Sequence, residues 1–274
     1  MNDMKQLGNK KHSLIYLGGF LNPYDLALLA LILCGILAQI TWEENYGEQQ
    51  LEIHGKMETN LQTPQFIRNL RNAFITTMRN SDVLICGIIS SLFEGSMYVF
   101  VFMWTPMLSE LIIQDKETKI ILPFGLIFST FMVCCMIGSS LFSIILERIR
   151  LEKLGIIVFI IASVSMGVVY MAKSETVCFI ALNVFETCVG MYFPIMGTMK
   201  SVIVPENQRA AIYNLYRIPL NFIVLMSLLT NLTPKQSFLA NAAMIGCAAA
   251  LQTKLAFSRM IHDPSSKEKL HVEI

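Results

Sequence analysis

Residues 83–105 read VLICGIISSLFEGSMYVFVFMWT, an almost unbroken apolar run with one carboxylate, Glu94, near its middle. A helix needs about 20 mostly apolar residues to cross the hydrocarbon core of a bilayer. Backbone groups in lipid must form their hydrogen bonds within the segment, so we predict a transmembrane helix here. Its central charge needs an explanation, because such a residue costs about 3 kcal/mol on insertion.

The composition of the whole chain resembles that of this stretch. Hydrophobic residues make up 54% of the 274 residues, charged residues make up 15%, and the mean hydropathy is +0.55. Soluble domains carry about 25% charged residues, so the composition indicates an integral membrane protein. The net charge of +1 offers no basic surface to attract phosphates, so we expect a lipid environment and no nucleic-acid partner.

The cysteines and histidines do not form a recognisable reactive site. All seven cysteines lie in apolar segments without a CxxC pair, which favours buried apolar roles, and the four histidines lie outside those segments. No nucleophile–base pair or phosphate-binding loop stands in or beside the apolar segments. We therefore expect no metal, no cofactor and no enzymatic activity.

Other apolar segments repeat the length of the first. The predicted fold is all-α, a polytopic membrane helix bundle of about seven transmembrane helices, formed by residues 23–42, 83–105, 121–146, 154–172, 176–199, 211–230 and 236–257. The predicted organisation is an N-terminal segment, one helix, a connector, a six-helix part and a tail, at 1–22, 23–42, 43–82, 83–258 and 259–274.

The connector contains an amphipathic helix, predicted over 64–78. Phe66, Leu70, Phe74 and Met78 recur every four residues and share one face of a helix. Such a helix either lies at the membrane surface or packs beneath the bundle, and we favour the surface position.

Loop charges predict the orientation, because Lys and Arg concentrate on the cytoplasmic side. One side carries Lys56, Arg68, Arg71, Arg79, Arg148, Arg150, Lys153, Lys200, Arg209, Lys254, Arg259, Lys267 and Lys269, and the other Lys116, Lys119, Lys173 and Lys235. The connector, the loop predicted at 200–210 and the C-terminus would then be cytoplasmic. We expect a multi-pass protein of the cell membrane.

Three ionisable residues fall inside predicted spans: Glu94, Glu186 and Arg217. Facing lipid they would be costly, so we expect them to point into the bundle or a water-filled cavity. Small and polar residues lie at helical spacing around each, in three sets: Gly87, Ser91 and Tyr98; Asn183, Gly190, Pro194 and Gly197; Asn214 and Asn221. These stripes serve either as helix-packing seams or as a transport pathway.

The two glutamates also share a local pattern. LFEGSMY (92–98) and VFETCVGMY (184–192) both run Phe-Glu and then Met-Tyr, in the first and fourth spans of the six-helix part. Each half has three spans, so corresponding spans of the two halves cross the bilayer in opposite directions. We therefore predict a 3+3 inverted repeat. Transporters of that plan bind substrate near the midplane, and both glutamates lie about 15 Å from a predicted span end.

The chemistry of these residues predicts roles in transport. A carboxyl removed from water can take up and release a proton near neutral pH, which makes Glu94 and Glu186 candidates for proton coupling. The planar fork of Arg217 suits an oxyanion, unless the side chain extends to the interface instead. The predicted substrate-binding residues are Arg217, Asn214, Asn221, Tyr98 and Tyr192.

Several motifs resemble one known family. They are WEENYGE (42–48), LFEGSMYVFVFMWTPML (92–108), PFGLIFSTFMVCCMIGSSLF (123–142), GMYFPIM (190–196), VIVPEN (202–207) and NLYRIPLN (214–221). In this order they resemble the molybdate-anion transporter family of the major facilitator superfamily. The resemblance implies a carrier of molybdate with twelve helices in two halves, of which this chain would hold helix six and the C-terminal six.

Two functions follow as expectations. The first is transport of an oxyanion such as molybdate by alternating access, coupled to protons. The second is a truncated, non-transporting membrane protein that acts as an interaction partner, because a bundle with one wall of a cavity needs a second copy or an N-terminal half to cover its polar groups.

Overall fold

A computed structural model describes residues 5–6, 16–17, 22–42, 65–115 and 123–262. The chain divides into two units, residues 1–59 and residues 60–274. In the first unit, β1 (Lys5–Gln6) pairs antiparallel with β2 (Tyr16–Leu17), and α1 (Asn22–Thr41) follows. Most of the predicted N-terminal segment (1–22), residues 43–64 of the predicted connector and residues 263–274 of the predicted tail lie outside the described residues.

The second unit is helical throughout its described part. Its helices are α2 (Gln65–Arg79), α3 (Ser81–Asp115), α4 (Phe124–Leu146), α5 (Leu151–Met171), α6 (Glu175–Ile203), a 3-10 turn (Glu206–Gln208), α7 (Arg209–Leu229) and α8 (Pro234–His262). Seven helices of the described chain, α1 and α3 to α8, are long and apolar enough to cross a membrane. This confirms the predicted polytopic membrane helix bundle.

Helix α1 is apolar around its whole circumference. Leu26, Leu31, Ile36 and Ile40 are all at least half exposed although they point in different directions. A helix without a polar face matches a lipid-surrounded span.

Helices α3 to α5 and helices α6 to α8 are two groups of three, and the helix contacts stay the same when one group is exchanged for the other. Helix α3 packs against α7 and α8, and α6 packs in the same way against α4 and α5. The remaining main contacts join α5 to α8 and α3 to α6. Exchanging α3 with α6, α4 with α7 and α5 with α8 leaves this set of contacts unchanged, so the packing has the two-fold relation that a 3+3 repeat requires.

Aromatic rings fill the centre of this bundle. The rings of Phe93 on α3 and Tyr192 on α6 stack with their centroids 4.1 Å apart and their planes 9° from parallel. Phe159 on α5 and Phe185 on α6 lie 5.2 Å and 6.1 Å from Phe93. These contacts fix the register between α3 and α6, from which the site residues project.

Helices α4 and α6 approach each other to backbone contact at two points. A Cβ at Gly138 would collide with the carbonyl of Thr187, and a Cβ at Gly190 would collide with the carbonyl of Cys135. Small residues permit such close crossings of membrane helices. The predicted stripe around Glu186 therefore serves as a packing seam at Gly190.

The amphipathic helix, predicted at 64–78, is α2. One face packs on α3 and α7, where Ala73 and Thr77 are buried beside Val83, Ile212 and Tyr216. Phe74 and Met78 remain about half exposed, and the side chain of Phe66 lies outside those described. Helix α2 thus packs on the bundle through one face and leaves an adjacent apolar face uncovered.

Candidate functional site

Helix α3 is held against α7 by small and hydroxyl-bearing residues. Ser91 Oγ donates to the carbonyl of Tyr216 at 2.8 Å, and Tyr216 Oη donates to the carbonyl of Val83 at 2.7 Å. The Tyr216 ring lies directly against Gly87, where no Cβ could fit without a shift. The Gly87–Ser91 part of the predicted stripe is therefore a packing seam that sets the position of the next turn, which carries Glu94.

Glu94 meets two residues of α6 through one oxygen. Tyr192 Oη donates to Glu94 Oε1 at 2.8 Å, and Lys200 Nζ donates to the same oxygen at 3.0 Å. The side chains of Lys200 and Glu94 are 18% and 29% exposed, so the ion pair is mostly buried but open on one side. The ion pair with Lys200 and the hydrogen bond from Tyr192 offset part of the cost of a carboxylate within a membrane-spanning helix.

Lys200 also faces an aromatic ring from α7. Its Nζ lies 5.8 Å from the centroid of the Tyr213 ring, within the range of a cation–π contact. The ammonium group is thus shared among α3, α6 and α7. The cluster of Glu94, Tyr192, Lys200 and Tyr213 is called the Glu94 cluster below.

The prediction that Lys200 lies in a loop at 200–210 is wrong. Helix α6 continues to Ile203, so Lys200 is a helical residue in its last turn. The available signal was spacing, because Tyr192, Met196 and Lys200 follow at four-residue steps on one face. The prediction ended the helix at the first charge, whereas a long lysine side chain can reach back into the bundle.

Of the predicted site residues, the described structure joins only Glu94 and Tyr192 by a hydrogen bond. Tyr192 is almost fully buried, and Tyr98 is half exposed. Asn214, Arg217 and Asn221 lie on the exposed side of α7, and none of the three makes a hydrogen bond or ion pair within the described residues.

No hydrogen bond or ion pair among the described residues connects Glu186 to the Glu94 cluster. Only 6% of the surface of Glu186 is exposed, and it has no hydrogen-bond or ion-pair partner within the described residues. Its neighbours on α4 include Cys135, which lies within electrostatic range, and Asn183 one turn earlier accepts from Cys134 Sγ at 3.3 Å. A buried carboxyl without a partner carries a high cost when charged, and protonation removes that cost.

No group of three or more His, Cys, Asp or Glu residues suited to a metal ion occurs among the described residues. The Glu94 cluster itself offers a carboxyl and two hydroxyl groups with exchangeable protons, and one ammonium group. Such a set can bind and release an anion or a proton, and it offers no nucleophile activated by a base.

Comparison with known families agrees with this helical transporter plan. The model of a family described as sugar transporters with 12 transmembrane helices matches residues 14–185, more than half of the chain. The chain belongs to this family of the major facilitator type. It is accordingly a membrane protein of a transporter family, as the motifs predicted.

Individual relatives carry a more specific name. Molybdate-anion transporters of Xenopus laevis and Xenopus tropicalis are each 29% identical over 216 residues, which cover 76% of this chain and 43% of each relative. The molybdate-anion transporter of Danio rerio is 25% identical over 228 residues, covering 76% of this chain and 45% of the relative. The chain thus spans less than half the length of the curated relatives it matches.

Proposed function

We propose that the chain takes part in secondary transport of an oxyanion such as molybdate by alternating access, coupled to protons. The observation that carries this proposal is the mostly buried Glu94–Lys200 ion pair between the two helix groups of a transporter fold. The printed names of the curated relatives supply molybdate, since the family description names sugars instead. A non-enzymatic role follows from the same chemistry.

The site residues divide into two proposed classes. Glu94 and Glu186 would exchange protons, because both are carboxyls held within the spans and away from bulk water. Arg217, Asn214, Asn221 and Tyr98 would contact the substrate from exposed positions on α7 and α3. Tyr192 would act from its hydroxyl, whose present acceptor is Glu94.

The cellular location and the membrane orientation of the chain are part of the same proposal. We propose a multi-pass location in the cell membrane with the connector and the C-terminus on the cytoplasmic side. The Lys and Arg distribution favours that orientation. Accessibility of a cysteine or epitope placed after residue 262, measured before and after permeabilising cells, tests it.

Uptake of labelled molybdate decides the function. Cells expressing the chain at the surface should accumulate more labelled molybdate than cells expressing Arg217→Ala, and acidifying the external medium should increase the rate. Lys235→Ala, in the first turn of α8 and at its exterior end in the proposed orientation, serves as the control and should transport normally. Surface-expressed chain without uptake contradicts the proposal for this chain acting alone.

A second function has a specific observation in its favour. Asn214, Arg217, Asn221 and Tyr98 are polar groups exposed within helices long enough to span a bilayer, and exposing such groups to lipid is costly. A membrane protein that only assembles with a second copy or a separate N-terminal half would cover them. Native mass measurement in lipid discs separates the alternatives, because this role requires a complex and gives no uptake.

A further inference from the structure

We propose that Lys200 is an oxyanion-binding residue and that Glu94 competes with the anion for it, so that binding requires a proton on Glu94. This inference rests on the proposed function and adds a residue that the predicted set did not contain. It also states how one proton and one anion become linked.

The geometry supplies the competition. Lys200 Nζ donates to Glu94 Oε1 at 3.0 Å, and Tyr192 Oη donates to the same atom at 2.8 Å. The carboxylate therefore occupies both of these donors, Lys200 Nζ and Tyr192 Oη. An oxyanion presents the same kind of acceptor atom as a carboxylate, so it can replace Glu94 at both donors.

The partial exposure supplies access. The pair has side-chain exposures of 18% and 29%, whereas Tyr192 is only 1% exposed. A small anion can therefore reach Lys200 and Glu94 first, and Tyr192 from the side that Glu94 leaves. The Tyr213 ring, 5.8 Å from Nζ, keeps the ammonium group in place when the carboxylate no longer binds it.

The charges explain why a proton must accompany the anion. An anion that enters beside an ionised Glu94 meets a like charge in a region with little water, which is strongly unfavourable. When Glu94 takes up one proton, its carboxyl becomes a neutral donor and the Lys200 charge is available to the anion. One proton is bound for each anion, and no covalent bond between heavy atoms forms or breaks.

Few other titratable or charged groups face the pair in the part of the chain that the structure describes. Helix α3 contributes Cys86 in electrostatic range of Lys200, α6 contributes Tyr192, and α7 contributes Tyr213. Asp82 on α3 and Arg259 on α8 act on Cys86. Glu94 is thus the one carboxylate bonded to Lys200 within the described residues, and its protonation is the event that releases the lysine.

Binding of radiolabelled molybdate to the purified full chain in lipid discs tests the inference. For the wild type, affinity should fall as pH rises, because an ionised Glu94 occupies Lys200 and repels the anion. Glu94→Gln should bind at least as tightly as the wild type at pH 6 and keep that affinity at pH 8. Lys200→Ala should bind at least tenfold more weakly, and Lys200→Arg should restore binding.

Two further variants are controls. They distinguish the loss of an anion-binding residue from misfolding and from the general effect of removing a positive charge. Lys200→Ala leaves Glu94 without its cation, so the double variant Glu94→Gln with Lys200→Ala removes both charges and should also bind weakly at every pH. Lys254→Ala removes an exposed lysine of α8 and should match the wild type. Double-variant binding as tight as that of Glu94→Gln overturns the inference.

The outcomes also separate this inference from the proposed function. Normal molybdate uptake by Lys200→Ala would leave the proposed function standing and overturn the inference. Proton-linked binding without uptake would support the inference and contradict transport by this chain alone. Absence of molybdate binding by both the wild type and Glu94→Gln would overturn the inference, whatever the uptake result.

Discussion

Glu94 and Glu186 occupy corresponding places in the two three-helix groups, yet their surroundings differ. Glu94 is bonded to Tyr192 and Lys200 and is partly exposed, whereas Glu186 is buried without a bonded partner among the described residues. The local sequences are similar, so the difference comes from what the neighbouring helix presents. Helix α6 presents a hydroxyl and an ammonium group to α3, while α4 presents a thiol and backbone to α6.

The two halves of the repeat share their helix packing, while the side chains around their glutamates differ. The α3–α7 and α4–α6 contacts correspond by exchange, and glycines allow close approach in both. In the first contact Gly87 meets a side chain, and in the second Gly138 meets backbone. A side chain can move aside and a backbone carbonyl cannot, so we expect the two contacts to respond differently to substitution.

The largest effect should come from the α4–α6 contact. Gly190→Ala places a methyl group against the Cys135 carbonyl and should lower the free energy of unfolding by about 3 kcal/mol, since the two helices must separate. Thermal unfolding in detergent measures this. Gly197→Ala, on the same helix at a position where an added Cβ would meet no neighbouring group within 4 Å, is the matched control and should be close to neutral.

A smaller effect should come from breaking the ion pair beside the other glutamate. Lys200→Ala leaves a partly buried carboxylate without its cation and should cost about 1–2 kcal/mol, less than for a fully buried pair because water reaches both side chains. Adding Glu94→Gln should recover most of that loss. No recovery in the double variant would show that Lys200 stabilises the bundle through packing instead.

The smallest effect should come from Glu186→Gln. The amide has nearly the same shape as a protonated carboxyl, and no ion pair is lost, so the change in unfolding free energy should stay within about 0.5 kcal/mol. Glu94→Gln provides the comparison, since it loses an ion pair. A large destabilisation by Glu186→Gln would mean that Glu186 is ionised and held by a cation.

Much of the fold follows from the sequence because each span must satisfy its own backbone in lipid. An apolar run long enough to cross a bilayer therefore predicts a helix without knowledge of its neighbours. The ends of the helices were less predictable. Helix α3 continues ten residues past the predicted end, to Asp115, and α6 continues to Ile203, since a helix can extend into water after its apolar part ends.

The site was less predictable than the fold, because contacts between distant residues decide it. The chemistry of Glu94 and its place on a polar stripe were visible in the sequence, but its bonds to residues 98 and 106 positions away were not. Arg217 was predicted to bind substrate because it is a charge inside a predicted span, yet it has no hydrogen-bond or ion-pair partner within the described residues. Lys200 was not predicted as a site residue because hydropathy depends on the position of a residue in the sequence. It does not show that a long side chain carries its charged group back into the bundle.

The reciprocal glycine contacts between α4 and α6 also bear on motion. Two helices that touch backbone to backbone at Gly138 and Gly190 have no flexible side chains between them to absorb a sliding movement. Around that crossing they should move as one rigid body. Any rearrangement within the bundle would then keep α4 and α6 together and take place at the other helix contacts.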